Sequence, residues 1–236
     1  MTIKTYYTNK RAQSYNQHWK VFSVKTHAAT RSVIDFAQLE EICRSQEHPP
    51  RILDAACGTG LLLQQFAHRI PCAELYGVDA SEDMLAQARL AQGQAQFTQA
   101  SLQAGKRAGL PYEAGFFDLI TCTNALHNVK DPASVLHGLA ELLAPQGQFV
   151  IEDFARRTFP FPWRIFEWFT RRRDPQHVQA YTLVEAQQFC IKAGLYVLIA
   201  KNFPIDTVWR GWVISAQEAK EHLPLLPKME PPLNDE

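Results

Sequence analysis

The segment RILDAACGTGLLLQQFAHRI, residues 51–70, combines an apolar run, a carboxylate, two glycines and helically spaced apolar residues. A strand that turns sharply on glycine into a helix holds a nucleotide in many folds, because glycine reaches left-handed backbone angles and lets a ligand approach the main chain. Asp54, Gly58 and Gly60 are therefore candidate binding residues, and the question is which nucleotide they bind.

Two phosphate-binding signatures fit this turn poorly. The P-loop needs four residues between its glycines, followed by Lys and then Ser or Thr, and the turn has neither feature. The dinucleotide fingerprint needs a third glycine where helix and strand pack closest, and Leu63 stands at that position. The missing glycine weakens the interpretation as a nicotinamide-dependent oxidoreductase, which stays an alternative.

A loop for S-adenosylmethionine makes different demands. This ligand has no pyrophosphate, and its ammonium and sulfonium groups are cationic, so a carboxylate at the strand end, here Asp54, suits it. A second acid at the end of the next strand should hold the two ribose hydroxyls. Asp79, in the segment GVDAS and nineteen residues after Gly60, meets this requirement.

His127 is the titratable side chain best placed for a chemical step. It follows the apolar segment FFDLITCTNA, and a histidine at the end of a strand can act as a general base near neutral pH. The alternative is a histidine that only packs, or that holds the loop before Asp131.

Strand and helix patterns alternate from residue 51 to about 155. The predicted strands are RILDAA, AELYGVDA, QAQFTQA, FFDLITCTNA and QFVIEDFA, with helices predicted at GLLLQQFAHRI, SEDMLAQARLAQ and DPASVLHGLAELLA. Ser81, Asp131 and the pair Thr182 and Glu185 are suited to cap helix starts. This alternation implies a parallel sheet covered on both faces, with ligands at the carboxyl ends of its strands. LYVLIAKNF and DTVWRGWVISAQ then predict an antiparallel edge.

Composition disfavours several classes of protein. The 236 residues include 24 basic and 24 acidic side chains, a balance that argues against nucleic acid as a partner. Cysteines at 43, 57, 72, 122 and 190 are odd in number and not closely paired, which argues against a disulfide framework and against zinc. No segment approaches the ~18 apolar residues of a membrane span, and the first residues lack the apolar core of a signal peptide. We expect a cytoplasmic protein without integral membrane association.

Four motifs in register resemble those of the class I S-adenosylmethionine-dependent methyltransferases. They are ILDAACGTG, GVDAS with ML after it, FFDLITCTNALHNVKDP and LLAPQGQFVIEDF, within residues 51–154. The chain is most similar to the type-11 group, which includes ubiquinone and menaquinone methyltransferases. The resemblance implies an α/β fold, Rossmann-like, with a seven-stranded, mostly parallel sheet, an antiparallel edge strand and helices on both faces. It implies a single domain over 1–236, with an N-terminal helical lid (1–48), a core (50–216) and a small substrate cap after strand five (154–180). The last residues (217–236) hold four prolines and mixed charge, which predicts a loosely ordered tail.

The resemblance also assigns cofactor-binding residues. The turn would bind the methionine end, Asp79 the ribose, and Ala80 and Met84 the adenine. The full set that it implies is Asp54, Ala55, Ala56, Cys57, Gly58, Gly60, Asp79, Ala80, Met84, Ser101, Leu102, Asn124, Ala125, Leu126 and Tyr15. Ala56 stands where the family often has glycine, so we expect a negative φ there. Ser101 stands where the family usually has an acid that contacts the adenine amine.

The methyl acceptor would be bound by the lid and the cap. His127 is the predicted catalytic base, and the predicted substrate contacts are His18, Phe154, Trp163 and Phe166. The segment 154–173 is dense in aromatic residues and arginines. It fits an aromatic pocket wall, a membrane surface that supplies a lipid-like acceptor, or a packed lid or dimer face.

The sequence therefore predicts methyl transfer from S-adenosylmethionine to a small molecule, with S-adenosylhomocysteine as product and no metal. The alternatives are a nicotinamide-dependent oxidoreductase and a non-catalytic module that binds S-adenosylmethionine. A nucleic-acid methyltransferase is disfavoured, because NALHN stands where the amino-methylating enzymes carry Asn or Asp followed by Pro-Pro-Tyr. The expected partner is a small acceptor, peripheral membrane contact stays open, and the protein is expected to be a monomer or homodimer.

Overall fold

A computed structural model describes residues 10–45, 47–156, 163–173 and 177–219. Its strands are β1 (Arg51–Ala55), β2 (Glu74–Asp79), β3 (Gln96–Gln99), β4 (Phe117–Thr123), β5 (Leu143–Phe154), β6 (Leu195–Pro204) and β7 (Arg210–Glu218). Its helices are α1 (Lys10–His18), α2 (Lys20–Arg31), α3 (Phe36–Ser45), α4 (Leu61–Arg69), α5 (Glu82–Ala91), α6 (Pro132–Ala140), α7 (Trp163–Arg173) and α8 (Leu183–Lys192).

The strands form one sheet in the order β3-β2-β1-β4-β5-β7-β6. Strands β1 to β5 pair in parallel, and β7 lies antiparallel between β5 and β6. This confirms the predicted fold class, including the antiparallel edge. The strand order reverses between β1 and β4, so their carboxyl ends open a crevice at that point.

The pleat of the strands sends alternate side chains into two apolar layers. In β4, Ile120 packs into the layer beneath α6 and α8, whereas Leu119 packs into the layer beneath α2, α3 and α4. The first layer contains the fully buried Phe149 and Trp212, and the second contains Phe66. Helices therefore cover both faces, which confirms the predicted sandwich and fixes the strand ends that carry the site.

The predicted helix caps are present. The Ser81 hydroxyl accepts a hydrogen bond from the Met84 N–H at 3.3 Å, and an Asp131 carboxylate oxygen accepts one from the Ser134 N–H at 3.2 Å. Thr182 and Glu185 form a reciprocal capping box at the start of α8. Each cap satisfies backbone donors that the first helical turn leaves unpaired.

Some boundaries differ from the prediction. The described part of the segment predicted as a helical lid contains three helices, α1, α2 and α3. Strand β5 begins at Leu143, ahead of the predicted start at Gln148, and bulges through the PQG segment. Gln146 adopts a φ of 70°, and the pairing register with β4 shifts between Phe117 and Leu119. Strand β7 continues to Glu218, past the core boundary predicted at 216, and the predicted tail from 220 onward lies outside the described residues.

A disulfide joins Cys43 at the end of α3 to Cys72 in the loop before β2, with their Cα atoms 6.4 Å apart. The expectation that cysteine pairing plays no part in the fold is therefore wrong for these two residues. Disulfides are typical of oxidising compartments, so the cytoplasmic location loses support and stays a prediction. Among the described residues, no helix combines the length and apolar character needed to cross a bilayer.

Candidate active site

The glycine turn after β1 is built from left-handed backbone. Ala56, Gly58 and Gly60 have φ values of 66°, 53° and 73°. A Cβ on Gly60 would lie 3.1 Å from the Ala88 Cβ in α5, so close helix packing also requires glycine there. The negative φ expected at Ala56 is wrong: the turn keeps the conformation that glycine favours although the residue is alanine.

Asp79 ties this turn to the next helix. Its Oδ2 atom accepts a hydrogen bond from the Gly58 N–H at 2.9 Å, and its Oδ1 atom accepts one from the Ser81 N–H at 2.8 Å. Burial raises the pKa of the Asp79 carboxyl, and these backbone donors oppose the rise. The carboxylate therefore orders the glycine turn and the start of α5 together.

Asp54 is the second buried carboxylate of the turn, with 1% of its surface exposed. The Thr121 hydroxyl donates a hydrogen bond to its Oδ1 atom at 2.7 Å. Burial raises the pKa of Asp54 to about 7; the Thr121 bond opposes the rise and the charge of Asp79 adds to it. A cation placed beside Asp54 would restore the ionised form, so this position suits a positively charged ligand.

A cavity of about 410 Å³ opens between the glycine turn and the ends of β2, β3 and β4. Predicted cofactor residues on its wall are Tyr15, Asp54, Ala56, Cys57, Gly58, Asp79, Ala80, Met84, Ser101, Leu102, Asn124 and Ala125. This volume lies within the usual ~300–1,000 Å³ of small-molecule sites. The structure thus brings three of the four sequence motifs, the end of β3 and the N-terminal helices to one pocket.

Other wall residues were not predicted. They are Ser23, His27, Thr59, Leu61, Leu62, Ala100, Ala104, Thr123, Asn128, Val129, Lys130, Asp131 and Val135. Most are neighbours of predicted residues, so the motifs themselves could have indicated them. Ser23 and His27 come from α2 and reach the cavity only through tertiary packing. Burial lowers the pKa of His27 to about 4, so this imidazole is neutral at physiological pH.

Several predicted residues do not line the cavity. Ala55 and Leu126 are buried in the sheet core, and Gly60 acts as the N-cap position of α4. His18 is exposed at the end of α1, where its ring lies edge-on to Trp19 at 5.1 Å. The side chain of Phe166 lies outside the described part of the structure.

His127 forms a buried pair with Asp153 at the end of β5. Its Nδ1 atom lies 2.9 Å from Asp153 Oδ1, and its backbone N–H donates to Asp153 Oδ2 at 2.9 Å. Asp153 is 1% exposed and also accepts a hydrogen bond from the Phe154 N–H. A carboxylate in this position holds the Nδ1–H tautomer and leaves Nε2 as the basic atom. Among the described residues, none hydrogen-bonds to Nε2.

Aromatic rings surround this pair. Phe154 lies 4.6 Å from the His127 ring and 5.5 Å from Trp209, and Trp209 lies 6.3 Å from Phe22. Trp163 of α7 packs against the same apolar group. Two predicted substrate residues, Phe154 and Trp163, therefore lie in one aromatic cluster that touches the candidate base.

Comparison with known proteins decides the family. The family model "Methyltransferase domain" matches residues 48–199. This chain belongs to the class I S-adenosylmethionine-dependent methyltransferases. A Bacillus subtilis protein named uncharacterized methyltransferase YcgJ is 30% identical over 72% of this chain and 66% of its own. The demethylmenaquinone methyltransferase of Thermus thermophilus is 35% identical over 51% of this chain and 56% of its own.

Solved methyltransferase structures share the fold. The Haemonchus contortus phosphoethanolamine N-methyltransferase 2 in complex with S-adenosyl-L-methionine has a TM-score of 0.65 at 14% identity, covering 92% of this chain and 59% of that one. The match covers 66% of the length of the Bacillus subtilis relative and 56% of the Thermus thermophilus relative, so this chain spans only part of each. Within the described residues, no cluster of three or more His, Cys, Asp and Glu side chains is arranged to hold a metal ion.

Proposed function

We propose that this methyltransferase-family chain binds S-adenosylmethionine in the 410 Å³ cavity and transfers its methyl group to a small aromatic or lipophilic acceptor. The observation that carries the proposal is the pair of buried carboxylates at the cavity wall. Asp54 suits the cationic ammonium and sulfonium, and Asp79 suits the ribose hydroxyls. Bound there, the sulfonium supplies an electrophilic methyl group that needs no further activation.

The remaining wall fits an adenosine. Ala80 and Met84 provide apolar surface next to Asp79, and the hydroxyl of Ser101 can accept a hydrogen bond from the adenine amine. Gly58 keeps the main chain open to the ligand, because no β-carbon projects from the turn there. Tyr15 and Ser23 from the N-terminal helices cover the cavity and would limit its contact with water.

The aromatic cluster supports an apolar acceptor. Rings of Phe22, Phe154 and Trp209 pack edge-on at 5.5–6.3 Å, which offers a stacking surface next to His127. One curated relative is named for demethylmenaquinone, an aromatic and lipid-like molecule, and this agrees with such an acceptor.

His127 would remove the acceptor proton. If the acceptor is a hydroxyl, Nε2 takes the O–H proton while the oxygen forms its bond to the methyl carbon, and Asp153 stabilises the imidazolium that results. A carbon or amine acceptor that is already nucleophilic needs this base less. The main task of the chain is then alignment of the acceptor with the methyl group in a dry site.

Titration calorimetry with S-adenosylmethionine, S-adenosylhomocysteine and NAD tests the cofactor assignment. We expect binding of the first two and none of NAD. A methyl-label assay with an alkylated hydroquinone then tests transfer. Binding of NAD without S-adenosylmethionine would support the oxidoreductase alternative. Tight binding of S-adenosylmethionine with no transfer to any hydroxyl, amine or carbon acceptor would support the non-catalytic module.

A further inference from the structure

Helix α7 contacts the rest of the protein through its polar side. The Glu167 carboxylate accepts a hydrogen bond from the Ala180 N–H at 2.9 Å, and the Arg171 guanidinium donates to the Val178 carbonyl at 2.6 Å. Trp163, four residues before Glu167, packs into the aromatic cluster. Positions four apart share a helical face, so residues 163, 167 and 171 define the face turned toward the protein.

The opposite face of α7 is apolar and exposed. Ile165, Trp168 and Phe169 have 59%, 49% and 54% of their surfaces accessible to solvent. The Arg172 guanidinium stacks over the Trp168 ring at 4.0 Å. A surface helix of a globular protein ordinarily buries its apolar stripe, whereas this helix exposes three large apolar side chains and turns only Trp163 of its described apolar side chains toward the protein.

Two neighbouring segments extend the exposed apolar surface. Trp19 and Val21 at the start of α2 are 39% and 67% exposed, and Val208 in the turn between β6 and β7 is 53% exposed. Both segments meet α7 at the aromatic cluster, since Phe22, Trp209 and Trp163 pack together there. We call this surface the aromatic rim; it consists of Trp19, Val21, Ile165, Trp168, Phe169 and Val208.

The charges at the rim are mainly basic. Lys20, Lys25, Arg172 and Arg210 are exposed beside it, although the formal net charge of the whole chain is zero. The single acid of α7, Glu167, faces the protein. Exposed Asp206 in the β6–β7 turn accepts hydrogen bonds from the Val208 and Trp209 N–H groups, which offset part of its charge.

We propose that the aromatic rim binds the surface of an anionic lipid bilayer. Trp, Phe and Ile side chains partition into the boundary between headgroups and acyl chains, and each nearby Lys or Arg adds attraction to anionic headgroups. A second copy of the chain fits less well, because a two-fold interface at the rim sets its basic residues against each other. Lipid phosphates instead provide the opposite charge.

If the proposed function holds, the aromatic rim also provides a route for the acceptor. Phe154 belongs to the cluster beneath the rim and contacts the His127 ring at 4.6 Å. An acceptor dissolved in the bilayer would therefore meet an apolar path from the rim to the candidate base. The bilayer contact itself needs neither cofactor nor turnover.

Vesicle co-sedimentation of the full chain tests the proposal, with phosphatidylglycerol-containing vesicles compared with pure phosphatidylcholine. We expect binding to the anionic vesicles that weakens with added salt, together with a blue shift of tryptophan fluorescence. Phe169→Asp and Arg172→Glu should each weaken partitioning about tenfold. Leu90→Asp, at a site 83% exposed on α5, and Lys192→Glu on α8 are the matched controls and should bind as the parent chain does.

Three results would overturn the proposal. They are absence of vesicle binding, equal binding to neutral and anionic vesicles, and a concentration-dependent dimer that Phe169→Asp dissociates. The last would assign the rim to a second copy. Circular dichroism and calorimetry with S-adenosylmethionine on each variant show whether it is folded. Because vesicle binding is measured without turnover, its failure is distinct from a failure of methyl transfer.

Discussion

The cavity and the aromatic cluster are built by different means. At the cavity, the Asp79 carboxylate is fixed by the backbone N–H groups of Gly58 and Ser81, so charge is placed by the main chain itself. At the cluster, rings pack against rings, and side chains such as the His127–Asp153 pair and His177 supply the polarity. In the proposed function, the first arrangement would recognise one charged ligand, whereas the second would provide an apolar surface and a proton acceptor. The two should therefore respond differently to mutation.

The largest effect is expected at His127. His127→Ala removes the candidate base, and since general bases contribute ~10²–10⁴-fold to a rate, kcat should fall by about that factor with a hydroxyl acceptor. Affinity for S-adenosylmethionine, measured by calorimetry, should stay nearly unchanged because His127 does not line the cavity. Exposed His68→Ala is the matched control. Equal losses in kcat and cofactor affinity would show that His127 is structural.

Asp153→Asn tests whether Asp153 positions the His127 ring. The amide can still accept from the His127 N–H but can donate toward Nδ1, which favours the wrong tautomer. We expect a lowered kcat and a shifted pH profile with unchanged cofactor affinity. A variant with the parent pH profile would contradict the assignment of Asp153 as a positioning residue.

Asp79→Ala should weaken cofactor binding at the cavity. It removes two hydrogen bonds from a charged acceptor to backbone donors, each worth about 1.5–3 kcal/mol, as well as the proposed ribose contact. We expect cofactor affinity to fall by about 100-fold, with kcat at saturating S-adenosylmethionine affected much less. Glu82→Ala, an exposed acid in the same helix start, is the control. Unchanged affinity would refute the ribose assignment.

Asp54 should give cofactor binding a pH dependence. Burial raises its pKa to about 7 in the free protein, so the carboxyl is mostly protonated at lower pH. The folded chain then holds a proton that the unfolded chain has lost, and this contribution to stability disappears as pH rises through 7. A cationic ligand favours the ionised form instead. Affinity should therefore rise about tenfold between about pH 6 and 7.5 and then level off.

The control for this prediction is Asp54→Asn, which is similar in size and cannot ionise. Its affinity for S-adenosylmethionine should be lower and nearly independent of pH over the same range. Calorimetry in buffers of different ionisation enthalpy should also detect a proton released on binding below pH 7 to the parent chain. A pH dependence that persists in Asp54→Asn would assign it to another group.

Local sequence patterns predicted the residues of the cavity far better than those of the aromatic cluster. The caps at Ser81 and Asp131 and the Asp79 bond to Ser81 join residues two or three positions apart, so local patterns could predict them. Ser23 reaches the cavity only through the packing of α2 over the sheet, which no local pattern encodes. The link between His127 and Asp153 joins residues 26 positions apart and likewise depends on β4 and β5 lying side by side.

The smallest effect is expected at Ala56, the one place where the turn departs from local backbone preference. A left-handed conformation costs a non-glycine residue about 1–2 kcal/mol, and glycine regains most of this but loses more entropy on folding. Ala56→Gly should therefore stabilise the chain by about 0.5 kcal/mol, whereas Gly60→Ala should destabilise it by more than 1 kcal/mol, since it adds a contact with Ala88. Urea denaturation of both variants measures the two values. If Ala56→Gly is destabilising, contacts of the Ala56 methyl group on the cavity wall outweigh the backbone strain.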